Sequence, residues 1–171
     1  MDLSKLDSLK GKLDTLEGAP EKQKAVKKSV NGLPMNWKHL ASILHVDENN
    51  FAFMQGIENA LYDKAREVCT NYAGGQWRVA TLGSLNYVYP EYSVPMQISV
   101  ASNYYEGEMD AKTFGFALTM WLVNTVSWTL YNRQQLDKAE ELSELYHTYR
   151  GTIFDDNQKE LDAAAINRFL D

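Results

Sequence analysis

Cysteine is almost absent. Cys69 stands alone among 171 residues, so no internal disulfide can form and a reducing compartment suits the chain. Histidine is scarce too, at His39, His45 and His147, and none lies at metal-ligand spacing from another histidine or a thiolate. The run His45-Val46-Asp47-Glu48 holds the right atom types for a metal, but neighbours along one helix entry do not converge. No GxGxxG, no Walker-type lysine loop and no GxSxG elbow occurs. Gly74-Gly75 follows a helical pattern and precedes a strand-like one, the reverse of a phosphate-cradling loop. Cys69 with His147 could form a nucleophile and base, yet Cys69 sits on an apolar helix face, where a small buried hydrophobe is the ordinary role. Asp155-Asp156 and Glu106-x-Glu108 read as turn or cap acids and not as a catalytic pair. No catalytic residue, metal site or cofactor is expected.

Charge is missing from one long stretch. Between Lys112 and Arg133 no residue is ionised, and Phe114, Phe116, Leu118, Met120, Trp121, Leu122, Val123, Val126 and Trp128 make it nearly span-length. Thr113, Thr119, Asn124, Thr125, Ser127, Thr129 and Asn132 interrupt it, so a helix buried on most faces of a domain is expected, with no membrane partner. Met1-Asp2-Leu3-Ser4-Lys5 lacks a basic-then-apolar secretory pattern, and the expectation is a cytoplasmic protein.

What is present is ordinary globular composition, 44% hydrophobic and 23% charged, with a formal net charge of −6. Its sign is uneven. Residues 1–30 carry seven lysines against five acids, whereas residues 31–171 carry ten basic and eighteen acidic residues. Asp137, Glu140, Glu141, Glu144, Asp155, Asp156, Glu160 and Asp162 crowd the last third. Such a surface repels a phosphate backbone, so direct duplex DNA binding is not expected. It is either a solvated helix face or a surface for a basic partner.

Leu3, Leu6, Leu9, Leu13 and Leu16 fall at helical spacing among lysines, which predicts an amphipathic helix of about two heptads. Too short to stand alone, it docks on the domain, pairs with another copy to give a homo-oligomer, or frays. Gly18-Ala19-Pro20 ends it, and a basic linker follows, so residues 1–30 form an N-terminal helical appendage and residues 31–171 the main domain. Trp37, Leu40, Ile43 and Leu44 fit a short helix. Asp47 is the expected cap of a longer one, with Phe51, Met54, Ile57, Leu61, Ala65 and Val68 on one face. Strands are expected at Gln76 to Leu82, Leu85 to Tyr89 and Val94 to Ala101. Helices then run from Asp110 to Tyr131, from Gln135 to Arg150 (with Leu136, Ala139, Leu142 and Tyr146 inward), and from Asn157 to Leu170 (with Leu161, Ala164, Ala165, Ile166 and Phe169 inward). The class is α+β: a small antiparallel three- to four-stranded meander packed against several helices.

The aromatic residues gather at the strands: Trp77, Tyr87, Tyr89, Tyr92, Tyr104 and Tyr105, with Arg78 as the one base nearby against Glu91, Glu106 and Glu108. They either cover the core or present tyrosines to a protein partner. Their order carries a resemblance. Tyr72-x-Gly74-Gly75-x-Trp77, then Tyr87-Val88-Tyr89-Pro90, then Gly107-Glu108 ahead of an Asp-capped apolar helix, resembles the antirestriction protein family of the ArdB/KlcA type. In the tail, Tyr146-His147-x-x-Arg150 is similar to the family's Tyr-x-x-Leu-Arg segment, and Leu170-Asp171 to its Ile-Asp ending. The likeness covers about residues 33–171. The chain departs from it at Gly83-Ser84-Leu85-Asn86, where the family has Asn-Gly-Gly, and at Tyr149, where the family has leucine.

The resemblance implies an antirestriction protein of a plasmid, phage or integrated mobile element, protecting incoming DNA by inhibiting host type I restriction. It implies no enzyme and no cofactor; the partner would be a host protein such as a type I restriction complex. Tyr72, Gly74, Gly75, Trp77, Tyr87, Tyr89, Arg150 and Asp171 are the candidate interaction or motif positions. Apart from the resemblance, the residues also fit a structural or adaptor module that self-associates through residues 3–16.

Overall fold

The computed structural model describes residues 30–155 and 157–171; the expected helix over residues 3–16 lies outside them. In chain order the elements are α1 (Trp37–Ile43), α2 (Phe51–Val68), β1 (Trp77–Leu82), β2 (Leu85–Pro90), β3 (Met96–Val100), β4 (Tyr105–Met109), α3 (Ala111–Asn132), α4 (Leu136–Ile153) and α5 (Ala163–Leu170).

Short polar side chains set the helix starts. The Asn36 amide oxygen accepts from the Lys38 and His39 backbone N–H groups, while His39 Nδ1 accepts from the Asn36 N–H, a capping box with histidine in the third position. Asp110 caps α3 as expected, accepting from Lys112 N, Thr113 N and the Thr113 hydroxyl. Asn50, and not Asp47, caps α2; Asp47 instead folds the preceding turn by accepting from the Asn49 backbone and side chain. The last helix starts at Ala163 under an Asp162 cap, later than Asn157, because the Gln158 side chain bonds both the N–H and the carbonyl of Leu161 and holds that stretch as a loop.

The α+β class stands, but the four strands form two separate antiparallel hairpins, β1–β2 and β3–β4, instead of one meander. The reason lies at the edges. On the outer edge of β2, Val88 N donates to the Thr119 hydroxyl of α3 at 3.1 Å, and the Asn86 carbonyl accepts from the Tyr149 hydroxyl of α4. Helices therefore take the groups that β3 would have needed. Residues 32–35 close the far edge of β1 through Gly32 N to Val79 O, Val79 N to Leu33 O and Met35 N to Trp77 O. Residues 70 and 71 close β3: Thr70 N donates to Gln97 O, and the Asn71 side chain pairs with Gln97 N and Pro95 O, standing in for a strand. Covered edges cannot recruit other chains.

The uncharged stretch is the central helix α3, which packs against α2, α4, α5, β2 and β4. Its buried threonines are satisfied: Thr119 donates to Gly115 O, and Thr113 donates to Asp110. Among the described residues, no helix is long and apolar enough to cross a membrane. Gly115 touches the β2 backbone itself. An added Cβ there would meet Val88 O at 2.3 Å and Tyr89 Cα at 2.4 Å, so only glycine lets helix and strand approach this closely. Beside it, Tyr87, Phe116 and Tyr149 stack edge to face at 5.1 and 5.4 Å, and burial pushes both phenols above their ordinary value. Helix α4 turns Ala139, Leu142, Tyr149 and Ile153 inward; Leu136, expected inside, is half exposed, and Tyr146 is only partly covered. On α5, Ala164 is exposed while Ala165, Ile166 and Phe169 are buried, and Leu161 is buried in the loop ahead of it.

Candidate functional site

Helix α2 ends at Val68, and the chain reaches β1 through Gly74 and Gly75, whose φ angles of 90° and 119° are closed to ordinary side chains. Aromatic residues brace this hinge. Trp77 is buried between Tyr62 and Tyr72, and its indole N–H donates to the Tyr72 hydroxyl at 2.8 Å. Tyr92 leans on Tyr72, and its hydroxyl accepts from Ala73 N and donates to Gly74 O, both at 2.8 Å. Burial raises the Tyr72 and Tyr62 phenols, Tyr62 being held further by its bond to Glu58. Both stay neutral at physiological pH, Tyr62 donating to Glu58 and Tyr72 accepting from Trp77. The hinge thus has its polar groups occupied internally, and it holds the α2 end against the first hairpin.

Tyr87 is in the core and Tyr89 is partly covered, with the Lys112 ammonium 5.9 Å from its ring. Tyr105 is buried against β3, leaving Tyr104, 91% exposed, as the tyrosine that faces solvent in the strand region. Most of the strand aromatics therefore cover the core.

Arg150 and Asp171, far apart in sequence, come together. Arg150, in the last turn of α4, donates to the Asn167 side-chain oxygen at 3.1 Å, and the Asn167 amide donates to Asp171 at 3.0 Å. One amide thereby joins a cation to a carboxylate, with its oxygen toward the first and its nitrogen toward the second. Arg150 and Asp171 are both exposed. Next to them a cleft of about 150 Å³ is walled by Lys64, Asn103, Trp121, Asn124, Tyr146 and Asp171. Exposed pairs of this kind contribute at most about 1 kcal/mol to stability, so the network adds little to the fold. It is the polar group of motif residues that stays on the surface.

Two of the three histidines, and the cysteine, have structural roles. His39 caps α1; His45, in a left-handed turn, places Nδ1 2.5 Å from Glu141 Oε1 and ties that turn to α4; His147 is exposed against the Tyr146 ring. Cys69 is buried, donates to the Asn71 side-chain oxygen at 3.1 Å, and has its thiol pKa raised by burial. Among the described residues no hydrogen bond or ion pair links it to His147, and no cluster of histidine, cysteine or acidic side chains could hold a metal.

Sequence reasoning passed over Asn167 and the bracing role of Tyr92. A signal existed for the first, because Asn167 and Asp171 are one helical turn apart. For Tyr92 none did, since its contacts depend on how the turn after β2 folds back.

Comparison with known proteins matches this architecture. The family model for antirestriction proteins matches residues 70–171. The antirestriction protein KlcA of Escherichia coli is 30% identical over 115 residues, covering 67% of this chain and 76% of that protein. Among solved structures, a match with a TM-score of 0.60 and 24% identity covers 78% of this chain and 87% of the other. The matched structure is one of the KlcA and ArdB proteins, which are described as having a novel fold and antirestriction activity against Type I DNA restriction systems in vivo but not in vitro. The shared fold, the extent of the family match and the identity to KlcA place this chain in the antirestriction protein family.

Proposed function

We propose that this protein acts in the cytoplasm for a plasmid, phage or integrated element, and that it shields incoming DNA by blocking host type I restriction through protein contact. Residues 31–171 carry the activity, and residues 1–30 are a separate segment. The observation that carries this reading is the exposed Arg150–Asn167–Asp171 network, a polar surface group assembled from two family-motif positions without a stabilising task in the core. Contact fits better than chemistry, because His39, His45 and Cys69 already have structural roles and His147 stands exposed without a thiol or acidic partner among the described residues. Contact also fits better than DNA mimicry. A duplex carries one negative charge per about 1.7 Å of axis, and a net charge of −6 over 171 residues is far more dilute. The relatives described as active in vivo but not in vitro fit a target that includes a cellular factor.

The test is plating of unmodified phage on a host with a type I system. Expression of this chain should raise plating toward the level of a non-restricting host. Arg150→Ala and Asp171→Asn should each reduce that protection while changing stability by less than about 1 kcal/mol. Unchanged plating with folded wild-type protein in the cell would reject the proposal.

A further inference from the structure

A groove of about 580 Å³ runs between α3 and α4, with Trp128 and Tyr131 on one wall and Leu136, Ala139 and Glu140 on the other. Its apolar lining is open to water: Trp128, Tyr131 and Leu136 are 60%, 53% and 51% exposed, and the two rings pack edge to face at 5.9 Å. A contiguous apolar surface of this kind marks a docking site. Along the α4 wall Asp137, Glu140 and Glu144 follow at helical spacing of three and four, all exposed, and none forms an ion pair among the described residues.

The occupant needs an apolar stripe with basic flanks, and this chain contains one. Leu6, Leu9, Leu13 and Leu16 repeat at spacings of three, four and three. On a helix of that register Lys5 and Lys12 lie along one side of the stripe and Lys10 along the other, while Asp7 and Asp14 turn away from it. Lys5 and Lys12 are two turns apart, the same axial step that separates Asp137 from Glu144. Residues 17–29 give a tether of up to about 43 Å, whereas a domain of this size has a radius of gyration of about 15 Å. A tethered segment is held at an effective concentration in the millimolar range, ahead of any free competitor. We propose that residues 3–16 seat as a helix in the α3–α4 groove of their own chain, leucines against Trp128, Tyr131 and Leu136, with Lys5 and Lys12 against the acidic ridge of α4.

Hydrogen–deuterium exchange on the full chain, with light scattering at the same concentrations, tests this. Amides of residues 6–16 should exchange at least roughly tenfold more slowly than in the free peptide, in a monomer, at every concentration. Asp137→Lys with Glu144→Lys should cut that protection by roughly fivefold, and adding Lys5→Glu with Lys12→Glu should restore it. These are surface positions, so the domain stays folded in all variants. No protection over the free peptide, protection indifferent to the charge reversals, or failure of the combined variant to recover it overturns the proposal. So does protection that appears only where light scattering records a dimer, since the occupant is then a second copy.

Discussion

Gly115→Ala should lower the stability of the domain by about 2–4 kcal/mol, one of the largest effects of any single added methyl group in this fold. The new Cβ would stand 2.3 Å from Val88 O and 2.4 Å from Tyr89 Cα, and both are backbone atoms that cannot rotate away. Helix and strand must separate by about 1 Å to restore van der Waals contact. That separation strains a packed core, at a cost of about 1–3 kcal/mol, and it also pulls the Thr119 hydroxyl from Val88 N, at about 1 kcal/mol more. Thermal unfolding should shift down by on the order of 10 °C. Gly151 supplies the control. It lies in α4 with open space where a Cβ would go, so Gly151→Ala should stabilise the helix by about 0.5–1 kcal/mol. A midpoint for Gly115→Ala equal to wild type would mean that α3 does not lie against β2 as described.

Trp77→Ala should cost about 3–5 kcal/mol, because it removes the buried ring on which Tyr62 and Tyr72 both pack. The informative variants are milder. Trp77→Phe keeps most of the packing but leaves the Tyr72 hydroxyl without its indole donor, for a loss of about 1–2 kcal/mol. Adding Tyr72→Phe removes the stranded hydroxyl, so the double variant should be less unstable than the sum of the singles, with a coupling of about 1 kcal/mol by chemical denaturation. Strict additivity would show that the bond is not made in solution. Both variants act on the hinge scaffold, so any loss of protection in cells should follow loss of folded protein.

The elements that could be read directly were those where one local rule acted alone. Asp110 ahead of a long apolar run predicted α3, and the inward positions Met54, Ile57, Leu61, Ala65 and Val68 of α2 follow one stripe. Competing local rules produced the misplacements. Asp47 and Asn50 are both good caps three residues apart, and choosing between them depends on the turn that Asp47 makes with Asn49. Leu136 fits the inward spacing of α4, yet the helix rotates so that Tyr149 and Ile153 bury and Leu136 does not. Pairing of the hairpins was not legible, because it turns on Thr119 and Tyr149 reaching the β2 edge from more than thirty residues away. The candidate site divides in the same way. Tyr72, Gly74, Gly75 and Trp77 were visible as a motif; the meeting of Arg150 with Asp171 depends on how α4 crosses α5 and on Asn167 between them.

The most direct measurement is plating efficiency with a chain stripped of every histidine and its cysteine, each replaced by a residue that keeps the local structural task. Gln suits the third position of a capping box at His39, Asn suits the left-handed turn at His45, Gln serves at exposed His147, and Ala fills the buried site of Cys69. If surface contact does the work, His39→Gln, His45→Asn, His147→Gln and Cys69→Ala together should protect unmodified phage as well as wild type, while Arg150→Ala should not. Loss of protection by the stripped chain, folded and present at wild-type level, would contradict the account and point to a reactive centre.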